Sequence, residues 1–188
     1  MKKSQKFTID EAKVLENYSY QYYLDIANST KERVELIFGK IYMMAGASAW
    51  HQDIVRNIFY LLKTISKTAQ KCLPRIAPFD LKLEVNSEIN IVQPDIMLFC
   101  GDKKKPCAIF EVLFPSTALK DKTVKKELYE QSGIREYFLV NAEYKIVEKF
   151  ILTNGKYEYV GAYGQEDKIE IKCLKEKIEL KEVFEQES

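Results

Sequence analysis

No stretch of this sequence is apolar over the ~20 residues that a membrane-spanning helix needs. The N-terminal MKKSQKFTIDEAK begins with basic residues but has no hydrophobic run behind it, so neither a span nor a secretion signal is expected and a cytoplasmic protein is. An excess of one charge is missing as well: 29 Lys+Arg stand against 28 Asp+Glu, for a net charge of +1. No whole-molecule field therefore attracts an acidic partner, and a nucleic-acid site would have to be a local patch. Cysteines are few, and Cys72, Cys100, Cys107 and Cys173 contain no Cys-x-x-Cys pair. Three of them sit in apolar, strand-like surroundings where a free thiol packs as a small hydrophobe, so neither a disulfide framework nor a zinc site is expected. Internal repeats, low-complexity segments and Gly/Pro/Ser-rich linkers are absent too. At 188 residues, 46% of them hydrophobic and 30% charged, the sequence predicts one globular domain over 1–188 with a sizeable core.

What is present is an alternation of strand-like and helix-like segments. YSYQYYLDIA (18–27) predicts a short surface helix, and RVELIFGKIYMMAG (33–46) two strands around a tight Phe-Gly-Lys turn. In SAWHQDIVRNIFYLLKTISKTAQ (48–70), Trp50, Ile54, Ile58, Leu61, Leu62 and Ile65 recur at helical spacing behind Ser48 as N-cap. One strand is predicted through IAPFDLKLEV (76–85), a turn at NSEIN (86–90), a second strand through IVQPDIMLFC (91–100) and a third through CAIFEVLF (107–114). PSTALKDKTVKKELYEQSG (115–133) opens with Pro and Ser/Thr, closes with Gly and reads as an amphipathic helix. The stretch 135–163 reads as strand, turn, strand, Asn154-Gly155 hairpin, strand. The class is α/β or α+β.

Two apolar strands each carry one carboxylate: Asp95 after Pro94, and Glu111 between Phe110 and Val112. Burying an ionised carboxylate is costly unless it pairs or binds a cation. If the two strands form a hairpin with the Lys103–Lys105 loop as its tip, both carboxylates come within reach of one ion. Magnesium accepts one or two protein carboxylates plus waters and substrate phosphate, and such a site can activate water for phosphodiester cleavage. A lysine is wanted as a third member. The helix after Glu111 offers Lys120, Lys122, Lys125 and Lys126; Asp121, Lys125 and Tyr129 lie four residues apart on one helical face, which selects Lys125 over the others, its neighbour Lys126 included. A salt bridge between Glu111 and Lys125 is the plain alternative, and it is compatible with a metal site.

QPD (93–95), EVLFPST (111–117), the Asp121…Lys125…Tyr129 spacing, SGIREYFLVN (132–141) and VELIFGKIYMMAGASAWHQ (34–52) together resemble the Uma-type restriction endonuclease family, a branch of the PD-(D/E)xK nuclease superfamily. The resemblance runs from about residue 20 to 160, with the motifs in the family's order. It implies a restriction-endonuclease-like α/β fold, a central mixed β-sheet flanked by α-helices. It also implies Asp95 and Glu111 as metal ligands with the Val112 carbonyl and Asp80 beside them, and Glu35 and His51 facing the same site. Where the superfamily places a lysine two residues after the glutamate, this chain has Leu113; the resemblance implies that Lys125 on the helix has taken over.

These readings predict an endonuclease dependent on Mg²⁺ or Mn²⁺ that hydrolyses phosphodiester bonds of DNA, with Asp95, Glu111, Lys125, Glu35 and His51 as catalytic residues. The alternatives are a nuclease-fold protein that binds nucleic acid or protein without cleaving, and a hydrolase of small phosphoesters. A homodimer is also expected, because KYEYVGAY (156–163) would offer Tyr157, Tyr159 and Tyr163 on one strand face.

Overall fold

The computed structural model describes residues 18–186 except 45, 70–71 and 102–103, so the basic N-terminal segment and Lys103 lie outside the described residues. The chain runs α1 (Tyr20–Ser29), β1 (Val34–Ile37), β2 (Lys40–Met43), α2 (Ala49–Ala69), β3 (Cys72–Ile76), β4 (Leu81–Val85), β5 (Glu88–Val92), β6 (Ile96–Cys100) and β7 (Ala108–Leu113). A helical segment follows in three parts: α3 (Ala118–Lys120), a π-helical turn (Asp121–Lys125) and α4 (Lys126–Gln131). Then come β8 (Glu136–Asn141), β9 (Ile146–Thr153), β10 (Lys156–Gly164), β11 (Lys168–Ile171), β12 (Glu176–Glu179) and α5 (Leu180–Val183).

The centre is a six-stranded sheet in the order β10-β9-β8-β7-β6-β3, mixed because β7 and β8 are parallel and the other neighbours antiparallel. The apolar alternation of its strands sends side chains to two cores. On one face Ile96, Leu98, Phe110, Val112, Phe138 and Val140 meet α2 and the C-terminal β11–β12–α5 unit. Burying each of these large side chains contributes about 1.5–3 kcal/mol. The Phe110 and Phe138 rings stack with centroids 4.3 Å apart. On the other face Met97, Phe99, Ile109, Tyr137 and Leu139 meet α4 and a second, four-stranded sheet, β2-β1-β5-β4.

Four expectations are corrected. The stretch 91–100 is not one strand: β5 ends at Val92 in the four-stranded sheet and β6 starts at Ile96 in the six-stranded one. Gln93-Pro94-Asp95 is the crossover, where Pro94 has no N–H to continue a ladder. Residues 76–85 are likewise divided between β3 and β4, with Pro78 in the break and Pro74 on an edge strand, where a missing donor is tolerated. Cys72 and Cys100, opposite each other on β3 and β6, form a disulfide; of the four cysteines, Cys107 and Cys173 are the free ones. The tyrosines of β10 do not share a face. A β-bulge between Tyr159 and Gly161 shifts the register by one, so Tyr157 packs with the α4-side core and Tyr163 with the α2-side core. The aromatic face on which a dimer was expected is not formed.

Candidate functional site

Asp95 lies at the point where the chain passes from one sheet to the other, beside the last turns of the β6–β7 hairpin. Past the last ladder pair, Ile96 and Phe110, side chains take over the pairing. The Val112 N–H donates to Asp95 Oδ2 at 2.8 Å, and the Asp95 N–H donates to Glu111 Oε2 at 3.3 Å. The two carboxylates expected to act together are thus neighbours. His51, in the first turn of α2, reaches over the sheet end to place Nε2 3.2 Å from Asp95 Oδ2. Its N–H is capped by Ser48 Oγ, which fixes where this turn begins.

The helical segment after β7 closes the other side. Lys125 is buried, with Nζ 3.0 Å from Glu111 Oε1, 3.1 Å from Glu35 Oε1 and 3.6 Å from Asp121 Oδ1. Tyr129 donates its hydroxyl to Glu111 Oε1 at 2.7 Å. The Asp121–Lys125–Tyr129 face therefore does turn toward the site, while Lys126 points away, its Nζ 4.0 Å from the centroid of the Phe150 ring. Glu35, fully buried on β1, accepts from the Gln93 N–H at 3.0 Å and from Lys120 Nζ at 2.7 Å. It stands behind the lysines.

Around these groups is a cleft of about 350 Å³, lined by residues that include Arg33, His51, Gln93, Asp95, Glu111, Val112, Lys120, Asp121 and Lys125. Asp80 does not line it; it is exposed and accepts from Gln93 Nε2 at 2.8 Å, so the structure does not bring it to Asp95 and Glu111. Three further residues contribute: Lys120, a candidate that the helical spacing passes over in favour of Lys125, and Asp121 and Gln93, to which the sequence gives no role. Asp121 was detectable from its four-residue spacing to Lys125, whereas Lys120 is five residues from Lys125 and no regular α-helix puts such a pair side by side.

The electrostatics are lopsided. Glu35, Asp95, Glu111 and Asp121 bring four carboxylates against the ammonium groups of Lys120 and Lys125 and the His51 ring. Burial pushes the Glu111 carboxyl up to about 8, Lys125 pulling it down and Asp121, Asp95 and Glu35 adding to the rise. Burial raises Asp121 too, against the pull of Lys125 and Lys120. For Glu35 the balance reverses: burial opposes ionisation, but Lys125 and Lys120 hold its carboxyl below the usual value. Burial works against the His51 cation, yet the hydrogen bond and charge of Asp95 raise its pKa overall. Lys125, despite burial, is held well above the ordinary lysine value by Glu111, Glu35 and Asp121.

This donor set fits a hard divalent ion. Among the described residues no group of three His, Cys, Asp or Glu side chains is arranged round one point, so protein ligands would be two carboxylates, with backbone and water oxygens completing the shell. Asp95 Oδ1 accepts no hydrogen bond among the described residues, and Glu111 Oε2 receives only the long one from the Asp95 N–H. Two buried side-chain atoms without a partner among the described residues, His51 Nδ1 and Gln93 Oε1, belong to the same lining. A surplus of carboxyl groups over lysines, free carboxylate oxygens and unpaired polar atoms meet in one cleft.

Comparison with known proteins agrees with this geometry. The profile of the Uma2 family, described as "Putative restriction endonuclease", matches residues 19–181. Uncharacterized protein slr1290 of Synechocystis sp. is 27% identical over 161 residues, which span 81% of this chain and 83% of that one. Among solved structures, a putative nuclease belonging to DUF820 from Anabaena variabilis superposes with a TM-score of 0.67 at 15% identity, over 86% of this chain and 96% of that one. The mixed sheet flanked by helices is the nuclease-like fold.

Proposed function

Because the chain belongs to the Uma2 restriction endonuclease family, we propose that it is a metal-dependent endonuclease that hydrolyses phosphodiester bonds of DNA at the cleft around Asp95 and Glu111. The observation that carries this reading is the surplus of carboxylate there. A site meant only to hold the fold together would balance its buried charges, since uncompensated ones cost several kcal/mol. Here Glu111 is pushed up to about 8 with Lys125 already beside it.

Asp95 and Glu111 would hold Mg²⁺ or Mn²⁺ together with the Val112 carbonyl. When bound, the ion supplies a lowered pKa for water and neutralises charge on the phosphate. The chain's own residues prepare the site. The Val112 N–H and the His51 ring fix the Asp95 carboxylate through Oδ2. Lys125 and Tyr129 fix Glu111 through Oε1 and leave Oε2 toward Asp95. Fixed donors of this kind need no reorganisation as charge develops in the transition state.

Nicking of supercoiled plasmid DNA in Mn²⁺ tests the reading. Wild type nicks, and Asp95→Ala loses that activity with its fold intact by circular dichroism. Plasmid left intact by the wild type in Mn²⁺ and Mg²⁺ would favour a nuclease fold that binds without cutting.

A further inference from the structure

The helical segment opposite the metal-binding strands contains a feature with no signature in the sequence. In an α-helix, residues five apart are turned by about 140° from one another. Between Lys120 and Lys125 the helix instead makes one π turn, Asp121–Lys125. An i→i+5 hydrogen-bonded turn stacks residues five apart, and such turns are frequent at functional sites. The consequence is visible on Glu35: Lys120 Nζ sits 2.7 Å from Oε2 and Lys125 Nζ 3.1 Å from Oε1, so one buried carboxylate holds two lysines.

The two ammonium groups are not equivalent. Lys125 donates a hydrogen bond to Glu111 and forms ion pairs with Glu35 and Asp121 as well, and its side chain is 4% exposed. Both lysines line the cleft, but Lys120 meets Glu35 alone as an ion pair, lies 5.5 Å from the centroid of the Tyr42 ring and has 14% of its side chain exposed. Its one hydrogen bond among the described residues goes to Glu35, so the more exposed ammonium is the one with fewer protein partners.

Resting on the nuclease reading above, we propose that Lys120 is the catalytic lysine that contacts the substrate's phosphate, and that Lys125 is a positioning residue that holds Glu111, Glu35 and Asp121 in place. Glu35 acts as the common anchor, and the π turn is what brings both lysines to it. The assignment separates two roles that the spacing of Asp121, Lys125 and Tyr129 alone would merge in Lys125.

The test combines cleavage of a short fluorescein-labelled DNA duplex in Mn²⁺ with its binding, read by anisotropy in Ca²⁺ over a series of salt concentrations. A lysine on a phosphate contributes about one to the slope of log K against log salt. Lys120→Ala is expected to flatten that slope by about one and to cut kcat by on the order of 10²-fold, with Mn²⁺ affinity kept and Tm lowered less than in Lys125→Met, because Glu35 still has Lys125. Lys120→Arg, which retains the cation, restores the slope. Lys125→Met is expected to lower Tm and Mn²⁺ affinity and to leave the slope unchanged. An unchanged slope in Lys120→Ala, or its loss in folded Lys125→Met, overturns the assignment. A wild type that binds the duplex without cutting it ends the nuclease reading alone, because the slopes still decide Lys120; a wild type that does not bind the duplex ends both.

Discussion

Each face of the six-stranded sheet buries a lysine against carboxylate, and the two arrangements differ in a way that separates structure from function. On the α2 side, Lys149 lies 3.3 Å from Glu136 Oε2 and donates to the Glu170 carbonyl, while Glu136 also accepts the N–H groups of Lys172 and Cys173. One acid faces one base, with backbone groups satisfying the remaining capacity, and the result ties the C-terminal β11–β12 hairpin to the sheet. On the α4 side, Lys125 faces three carboxylates, Glu35, Glu111 and Asp121, of which only Glu35 has a second base, Lys120. A closed pair specifies packing, whereas a cluster with more carboxyls than bases is what the proposed cation site would need.

The comparison is broken most severely by removing the central bases. Lys125→Met and Lys149→Met should each destabilise by about 3–5 kcal/mol in urea unfolding, because each strands buried charge. They should then diverge. Adding Glu136→Gln to Lys149→Met recovers most of the loss, but adding Glu111→Gln to Lys125→Met recovers only part, since Glu35 and Asp121 remain. Equal recovery in the two double variants would mean that the clusters are not different in kind.

A smaller effect concerns pH. Glu111 is raised in the folded protein to about 8 from an ordinary 4.5. Between those values the folded state keeps a proton that the unfolded chain has lost, so this group's contribution to stability is full below 4.5 and is lost as pH rises through 8. Urea midpoints of wild type should therefore include a downward component between pH 5 and 8 that Glu111→Gln removes and Glu136→Gln leaves in place. A pH profile unaltered by Glu111→Gln would show that this carboxyl is ionised throughout. The smallest effect is expected at Lys126, which faces Phe150 and no carboxylate of the cleft. Lys126→Ala should cost about 0.5–1 kcal/mol and leave cleavage unaffected. Lost cleavage there would place the wrong helical face over the site.

Part of this was legible in the residues. Asp95 and Glu111 stood out because a carboxylate inside an apolar strand needs a partner, and the Asp121–Lys125–Tyr129 face follows from helical periodicity. The order of helices and strands up to the Asn154-Gly155 hairpin also follows from turn and cap residues, except between α2 and β7, where two expected strands are four. Other features had no local signal. That 91–100 is divided between two sheets depends on which neighbours β5 and β6 find, and Pro94 marks only a break. The π turn is a choice of hydrogen-bond partner that shows itself through Lys120 and Lys125 meeting on Glu35. The disulfide joins cysteines 28 positions apart whose pairing depends on β3 lying beside β6. The bulge in β10, which reverses the face of Tyr163, did have a local signal, because Gly161 lies at it and an isolated glycine inside a strand often marks a bulge.

Whether the overloaded cluster is a cation site is tested most directly by isothermal titration with Mn²⁺ at pH 8 on wild type, Asp95→Ala, Glu111→Ala, Asp80→Ala and Glu136→Gln. One site per chain is predicted in wild type, retained in Asp80→Ala and Glu136→Gln and lost in Asp95→Ala and Glu111→Ala. The wild-type affinity should weaken as pH falls below 8, because the ion must displace the Glu111 proton. No binding by wild type, or binding that survives Asp95→Ala unchanged, would contradict the account.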